Sequence, residues 1–384
     1  MPDGLRLYNK ADSFIEIRQK DSGEQRAYDR IRRLSETLRL KPAADYRQRI
    51  IEQACADVLA GFSSGAAPAF SLKEHVIEEI RRLADADLPR YLFYRYRYDV
   101  FPQTKQTDEF PPCLQIEPTS ICNYRCVFCY QTDRDLTTPR NGFMGMMTLD
   151  LFKRVVDQAE GTCEAVTLAS RGEPLMCRNI EGMLAYVAGK FVALKVNTNA
   201  WFLDERKAHA LLQAVVGTLV FSADAASEPL YSQLRVNGKL DRVLMNIERF
   251  QKIRLRDYPD SRLITRVSGV RYATTQDVDE MDRVWGDLVD QVAFVDYNPW
   301  ENTYQRPVND LATPCSDLWR RMFVWFDGTV NPCDVDYKST LKVGDARTQL
   351  LSAIWKGGRY SAYREAHQAG RRGQLSPCNR CTVV

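Results

Sequence analysis

Apolar residues recur at helical spacing through the first hundred positions: Ile31, Leu34 and Leu38, then Ile50, Ile51, Ala54, Val58 and Leu59. Ser71 with Glu74 resembles a capping box that opens a third helix through Val76, Ile77, Ile80 and Leu83. The stretch GFSSGAAPAF before it reads as a loop. From there the period changes. Six short β-branched runs, CLQIEPT, EAVTLAS, ALKVNTN, TLVFSAD, RLITRVSGV and QVAFVDYN, alternate with amphipathic segments such as LDLFKRVVDQAE and LDRVLMNIERFQKI. Strand–helix alternation predicts a parallel sheet with crossover helices. Six repeats are too few for an eight-stranded barrel, so the expected fold is α/β: a partial (β/α)6 TIM-like barrel with its chemistry at the strand ends. Near the end, VWFDGTVNPC reads as a hairpin turning at Asp327-Gly328. Three regions result: residues 1–105, helical and of unassigned role; 106–300, the barrel; and 301–384, a small α+β domain.

Composition narrows the class. The chain has 384 residues, a net charge of only +3 and no low-complexity tract, which argues against a general polyanion binder. RYLFYRYRYDVF alternates arginine with aromatic rings. Base stacking with phosphate contact is one reading of it. The favoured one packs the rings on the next domain and leaves the arginines in solvent, making nucleic acid an unlikely partner. No run is apolar enough to span a bilayer, and MPDGLRLYNKADSF lacks a signal-peptide core, so a cytoplasmic protein with reduced cysteines is expected. With three histidines against eleven cysteines, thiol chemistry is the better supplied.

CNYRCVFCY places Cys122, Cys126 and Cys129 just after the first strand of the alternating region. Structural zinc and most iron–sulfur clusters take four protein ligands. A set of three leaves one metal position open for something else. Cys315, Cys333, Cys378 and Cys381 form a separate late set, whose four thiols suit either an iron–sulfur cluster or zinc.

CxxxCxxC with an aromatic, Phe128, before the last cysteine, following EPTS on a first strand, resembles the radical S-adenosylmethionine (SAM) superfamily. Later motifs follow in order. SRGEP is similar to that family's GGEP turn, with Arg171 in place of the first glycine. NTNAWFL is similar to its TNG segment, with Ala200 in place of the glycine. VFSADA and LRVNG match the strand end and arginine motif after it. The resemblance implies a 4Fe–4S cluster on Cys122, Cys126 and Cys129, with SAM chelating the free iron. It implies Glu173 near the SAM amino group, Asn199 and Ser222 near the ribose or carboxylate, and Arg235 near the carboxylate. Reductive cleavage of SAM would yield a 5′-deoxyadenosyl radical, with a flavodoxin or ferredoxin as reductant. The late cysteines resemble a SPASM or twitch domain, implying one auxiliary 4Fe–4S cluster.

Their spacing is most similar to that of aminocyclitol dehydrogenases. The expected reaction is therefore oxidation of a secondary alcohol on a sugar or aminocyclitol. Asp296 and Tyr297 at the sixth strand end are candidates for the hydroxyl proton, and Arg266 in the fifth strand for a buried cation facing the barrel interior. One alternative is an epimerase using Cys177, beyond RGEPL, as hydrogen donor. Another is maturation of a ribosomally made peptide, disfavoured because residues 1–105 lack the early strands of a leader-binding domain.

Overall fold

The structure, a computed structural model, describes residues 7–19, 23–40, 45–64, 69–272 and 276–384. Its strands are β1 (Phe14–Gln19), β2 (Cys113–Ile116), β3 (Ala165–Leu168), β4 (Ala193–Thr198), β5 (Thr218–Ser222), β6 (Ile264–Arg271), β7 (Gln291–Asp296), β8 (Arg321–Val324), β9 (Thr329–Asn331) and β10 (Gly344–Asp345). The six expected runs are β2 to β7, all parallel and adjacent in chain order. Residues alternate across them as a pleat requires. Leu114, Val166, Leu194, Leu219, Val267 and Val292 face the crossover helices and build the main core. The opposite face carries Gln115, Thr167, Lys195, Asn197 and Arg266, and this polar face is the barrel interior.

The sheet does not stop at the barrel. β8, from the C-terminal region, adds parallel to β2, and β9 and β10 continue it antiparallel. β8 and β9 are the expected hairpin, with Gly328 at φ 87° in the turn. At the other edge β1 adds antiparallel to β7. That corrects the expectation for residues 1–105, which are not helical throughout. Phe14–Gln19 holds an edge of the sheet because β7 offers a free row of backbone donors and acceptors.

The expected helices are present as α1 (Glu24–Arg39), α2 (Tyr46–Ser64), α3 (Glu74–Arg82) and α4 (Leu88–Thr104). The capping box is not. Lys73 is the N-cap of α3 and no side chain caps it, so Ser71 lies outside the helix. Of the expected loop GFSSGAAPAF, Gly61–Ser64 belong to α2, whereas 65–68 lie outside the described residues, as do residues 1–6 of the N-terminal stretch.

α4 carries RYLFYRYRYDVF, and here the sequence expectation fails differently. The rings do pack inward, but Arg95 and Arg97 are buried with them. Arg95 pairs with Asp99 at 2.7 Å and Arg97 with Asp108 at 2.6 Å. Arg97 also stacks 4.6 Å over Phe93. A guanidinium can enter an apolar layer when a carboxylate and a ring replace its water. The helix has no free basic face, which removes the ground for a nucleic-acid contact there.

The N-terminal arm also reaches the C-terminal region. Tyr8 exchanges backbone bonds with Thr382 and Val384. Lys10 is enclosed between Asp317 at 2.6 Å and Asp334 at 2.7 Å. Those carboxylates hold its ammonium charged despite burial, and in return Lys10 and Arg320 keep Asp317 well below the usual carboxylate range. A depressed Asp contributes stability that is present above its unfolded pKa and lost as pH falls through the folded one. Lys10→Met should cost about 3 kcal/mol, since it takes the lysine from buried Asp334 and leaves Asp317 with Arg320 alone. Denaturant unfolding at neutral pH checks the magnitude, and the gap between variant and parent should narrow in acid.

Candidate active site

The end of β2 is fixed by one buried ion pair. Glu117, fully buried, accepts from Arg171 Nε at 2.8 Å and Nη2 at 2.6 Å, and also from the backbone of Arg171 and Phe326. Arg171 further donates to the Tyr337 carbonyl at 2.9 Å and lies 4.5 Å over the Trp325 ring. The residue that departs from the usual glycine is thus the link between barrel and C-terminal domain.

The next residue keeps its glycine for a spatial reason. A Cβ on Gly172 would stand 2.3 Å from the Thr119 carbonyl oxygen and 2.6 Å from that of Ile121. The turn and the start of the cysteine loop pass with backbones nearly touching, and the Glu173 N–H donates to Ile121 at 2.9 Å. At NTNAWFL the opposite holds. Ala200 has φ 59°, the left-handed conformation that favours glycine.

The loop so held places its three thiols within electrostatic reach of one another, though not yet at metal-ligating spacing among the described residues. Cys122, Cys126 and Cys129 are each pushed up by burial first, and a charge on Cys126 or Cys129 would raise its neighbours further. Several donors favour the deprotonated sulfurs. Arg235 Nη1 lies 3.7 Å from Cys126 Sγ, and the N–H groups of Tyr124 and Gln131 lie 3.5 Å from Cys122 and Cys129. This donor set fits thiolates held by a metal cluster, whose own charge would overcome the burial effect.

The expected SAM-contact residues surround the loop. Glu173 is buried; one oxygen accepts from Leu175 N–H and the Thr198 hydroxyl, the other from Asn199 N–H at 2.7 Å. It is also the charged neighbour that most raises Cys122 after burial. A carboxylate offers about four acceptor positions, so these bonds orient it without exhausting it. Asn199 Nδ2 donates to Asn123 Oδ1 at 2.9 Å, inside the cysteine loop. Ser222 ends β5, in register with Ser268. Arg235 is less free than its expected role suggests: its Nε is ion-paired with buried Asp224 at 2.5 Å.

At the end of β7 the rings of Phe128, Tyr272 and Tyr297 form a chain, with centroids 5.7 and 4.9 Å apart. Tyr297 donates to Glu301 Oε1, while the other oxygen of Glu301 is buried with no hydrogen-bond partner among the described residues. Glu301 is near enough to Cys129 for its charge to raise that thiol. Asp296, the other strand-end candidate, pairs in register with Arg271. Two candidates lie apart from the cysteine loop. Arg266 does face the barrel interior, but its Nε is bonded to Gln291 and its guanidinium lies over Phe14, against the N-terminal region. Cys177 is packed in the main apolar core with Ile180 and Met183, where a thiol acts as a small hydrophobe. That burial weighs against its expected role as the epimerase reading's hydrogen donor.

The four late thiols are likewise raised first by burial and lie within electrostatic reach of one another. Cys333 is raised by Cys378 and Cys315, and Cys378 by Cys381 and Cys315. Two residues unnoticed in the sequence organise them. The Cys315 N–H donates to His367 Nδ1 at 3.1 Å. Burial holds His367 down to about 3, so it stays a neutral acceptor. Buried Arg372 donates to the carbonyls of Thr313, Val383, Cys378 and Cys381, drawing the segments together. Between the two thiol sets stand Tyr130, Tyr337 and Tyr304, with centroids 5.2 and 5.0 Å apart.

The fold, the three-thiol loop and the late thiol set have the make-up of an iron–sulfur protein. The chain is a radical SAM superfamily enzyme with a SPASM domain. The radical SAM superfamily model matches residues 116–283 and the iron-sulfur cluster-binding SPASM model residues 315–382. Its cofactors are accordingly SAM, the SAM-binding 4Fe–4S cluster and an auxiliary cluster, which sets aside the zinc alternative.

Among curated proteins it is 20% identical to a SAM-dependent 2-deoxy-scyllo-inosamine dehydrogenase of Niallia circulans, over 72% of this chain and 95% of that one. An AdoMet-dependent heme synthase of Methanosarcina barkeri is 23% identical over 71% of this chain and 74% of its own. Among solved structures, SuiB of Streptococcus suis bound to precursor peptide SuiA superposes with a TM-score of 0.52 at 16% identity, covering 77% of this chain and 75% of that one. At such identity the likeness is one of fold. No helix among the described residues is long and apolar enough to cross a membrane.

Two substitutions test the local geometry. Gly172→Ala should displace the cysteine loop and reduce iron from about eight to about four atoms per chain, as counted after anaerobic reconstitution. Ala200→Gly should raise unfolding free energy by about 1 kcal/mol by relieving the left-handed backbone, read from denaturant midpoints.

Proposed function

We propose that this enzyme oxidises a secondary alcohol of a small polyhydroxylated substrate, a sugar or aminocyclitol, to the ketone. When bound, SAM on its cluster supplies the hydrogen-abstracting 5′-deoxyadenosyl radical, and the auxiliary cluster supplies an electron acceptor. The chain must provide a base for the hydroxyl proton. The observation that carries the reading is Glu301, whose Oε1 is held by Tyr297 while its buried Oε2 has no partner, beside Cys129. A fixed carboxylate with one free oxygen at the strand ends suits proton acceptance better than Asp296 does. The phenol of Tyr297, made harder to ionise by burial and by Glu301, acts as a donor that orients this carboxylate. Likeness to the Niallia dehydrogenase over nearly its whole length supports the same chemistry. A flavodoxin or ferredoxin is the proposed reductant.

Peptide modification is the second reading. β1 supports it, since the N-terminal region contributes a strand after all, although that strand joins the barrel sheet and forms no separate one. Glu301→Gln should slow ketone formation from 2-deoxy-scyllo-inosamine or a related polyol about 10²- to 10⁴-fold. It should leave reductive cleavage of SAM in place. Chromatographic assay of ketone and 5′-deoxyadenosine together checks this. Undiminished ketone formation removes Glu301 as the base. A product still at the alcohol level removes the oxidation itself.

A further inference from the structure

A cavity of about 1140 Å³ lies inside the barrel against the N-terminal region, and none of the seven candidate ligand cysteines lines it. Its upper wall includes Ser268, the register partner of Ser222, and Val295, the residue before Asp296. It therefore runs from the level of the expected SAM contacts down to α3 and α4. Its volume exceeds what packing defects produce and is slightly above the usual range of ligand sites, about 300–1,000 Å³.

The lower end of this cavity is basic. Lys195 from β4, Arg266 from β6 and Arg95 from α4 all face it, around His75 of α3. Their proximity shows in His75, whose basicity is driven well down by burial and then by Arg95, Arg266 and Lys195 in turn. Two carboxylates oppose them. Asp99 is taken by Arg95, and Glu79 accepts from Tyr91 and lies 4.0 Å from Arg266. Donors are left over. Among the described residues, Nη2 of Arg266 and Nε of Arg95 are buried without a hydrogen-bond partner. Lys195 forms no hydrogen bond or ion pair among the described residues, and burial lowers its pKa to about 8. Asn197 Oδ1, higher on the same strand and two residues below Asn199, is also buried and unpartnered. Excess buried cation is unfavourable unless an anion completes it. An enclosed set of Arg and Lys donors is also the arrangement that recognises phosphate or carboxylate.

We infer that the cavity receives a hydroxylated substrate with an anionic group, its phosphate or carboxylate held at the floor by Lys195 and Arg266 and its hydroxyls reaching Asn197 and the strand ends. The inference rests on the oxidation proposed above and narrows its substrate: a free amine at the cavity floor is disfavoured, because an ammonium would meet like charge.

Calorimetric titration of the anaerobically reconstituted protein with SAM tests it, using inositol 1-phosphate, gluconate, inositol and glucosamine. An anionic polyol should bind at least about 10-fold more tightly than inositol. Preference for the phosphate ester or for the carboxylate names the source of the charge. Lys195→Gln should abolish the preference and Lys195→Arg retain it. Should the Gln variant fail to fold, displacement of inositol 1-phosphate by inorganic phosphate from the parent protein supplies the same evidence. Equal binding of inositol and the anions, or preference for glucosamine, overturns the inference. The SAM-induced change in the cluster spectrum is recorded in parallel. Its loss strikes the oxidation reading, whereas its presence without anion preference strikes only the substrate class.

Discussion

Glu117 and Arg171 form the pair on which the other arrangements depend. A fully buried carboxylate at the end of β2 needs a cation of matching geometry, and the guanidinium meets it with parallel donors. That fixes the turn after β3, which lies against the start of the cysteine loop. The remaining donor of Arg171 goes to Tyr337, in the region that carries the late cysteines. One side chain thus adds to the β2–β8 pairing a direct tie between two regions of the chain that carry different thiol sets.

Much of the fold was legible because its signals are local. The six strands announced themselves by β-branched runs at regular intervals, and the hairpin by Asp327-Gly328. The cysteine loop was legible for a similar reason: three ligands in one short loop need no distant information. β1 was missed because FIEIRQ is short and its apolar alternation is weak; it is a strand because β7 has an open edge. The buried arginines of α4 were misjudged because burial of a charge is not written in the sequence: Asp99, four positions after Arg95 on the same helix, could have suggested that pair, whereas Asp108 is recognisable as the partner of Arg97 only in three dimensions. Glu301 stands four positions after Tyr297, a spacing that could have suggested contact. His367 and Arg372 carried no such signal, since their work is to accept from or donate to backbone at remote positions.

The two departures from family motifs have different physical standing. Arg171 replaces a glycine and gains three partners, so the change is compensated. Ala200 replaces a glycine and retains the backbone conformation that glycine would adopt freely, with its N–H bonded to the Thr198 hydroxyl at 3.0 Å. The surroundings hold it there: Asn246 donates to the Ala200 carbonyl at 2.8 Å. Motif residues in this chain are therefore better judged by what they touch than by whether they match.

The shared sheet bears on how the chain comes to be folded at all. β2 lies between β3 and β8, and β8 is synthesised roughly 200 residues later. Until then the nascent barrel presents β2 as a bare edge next to the cysteine loop, a surface inviting intermolecular pairing. Slow translation, chaperone cover or lowered temperature should therefore govern the yield of intact protein during biogenesis more than the stability of the finished molecule does.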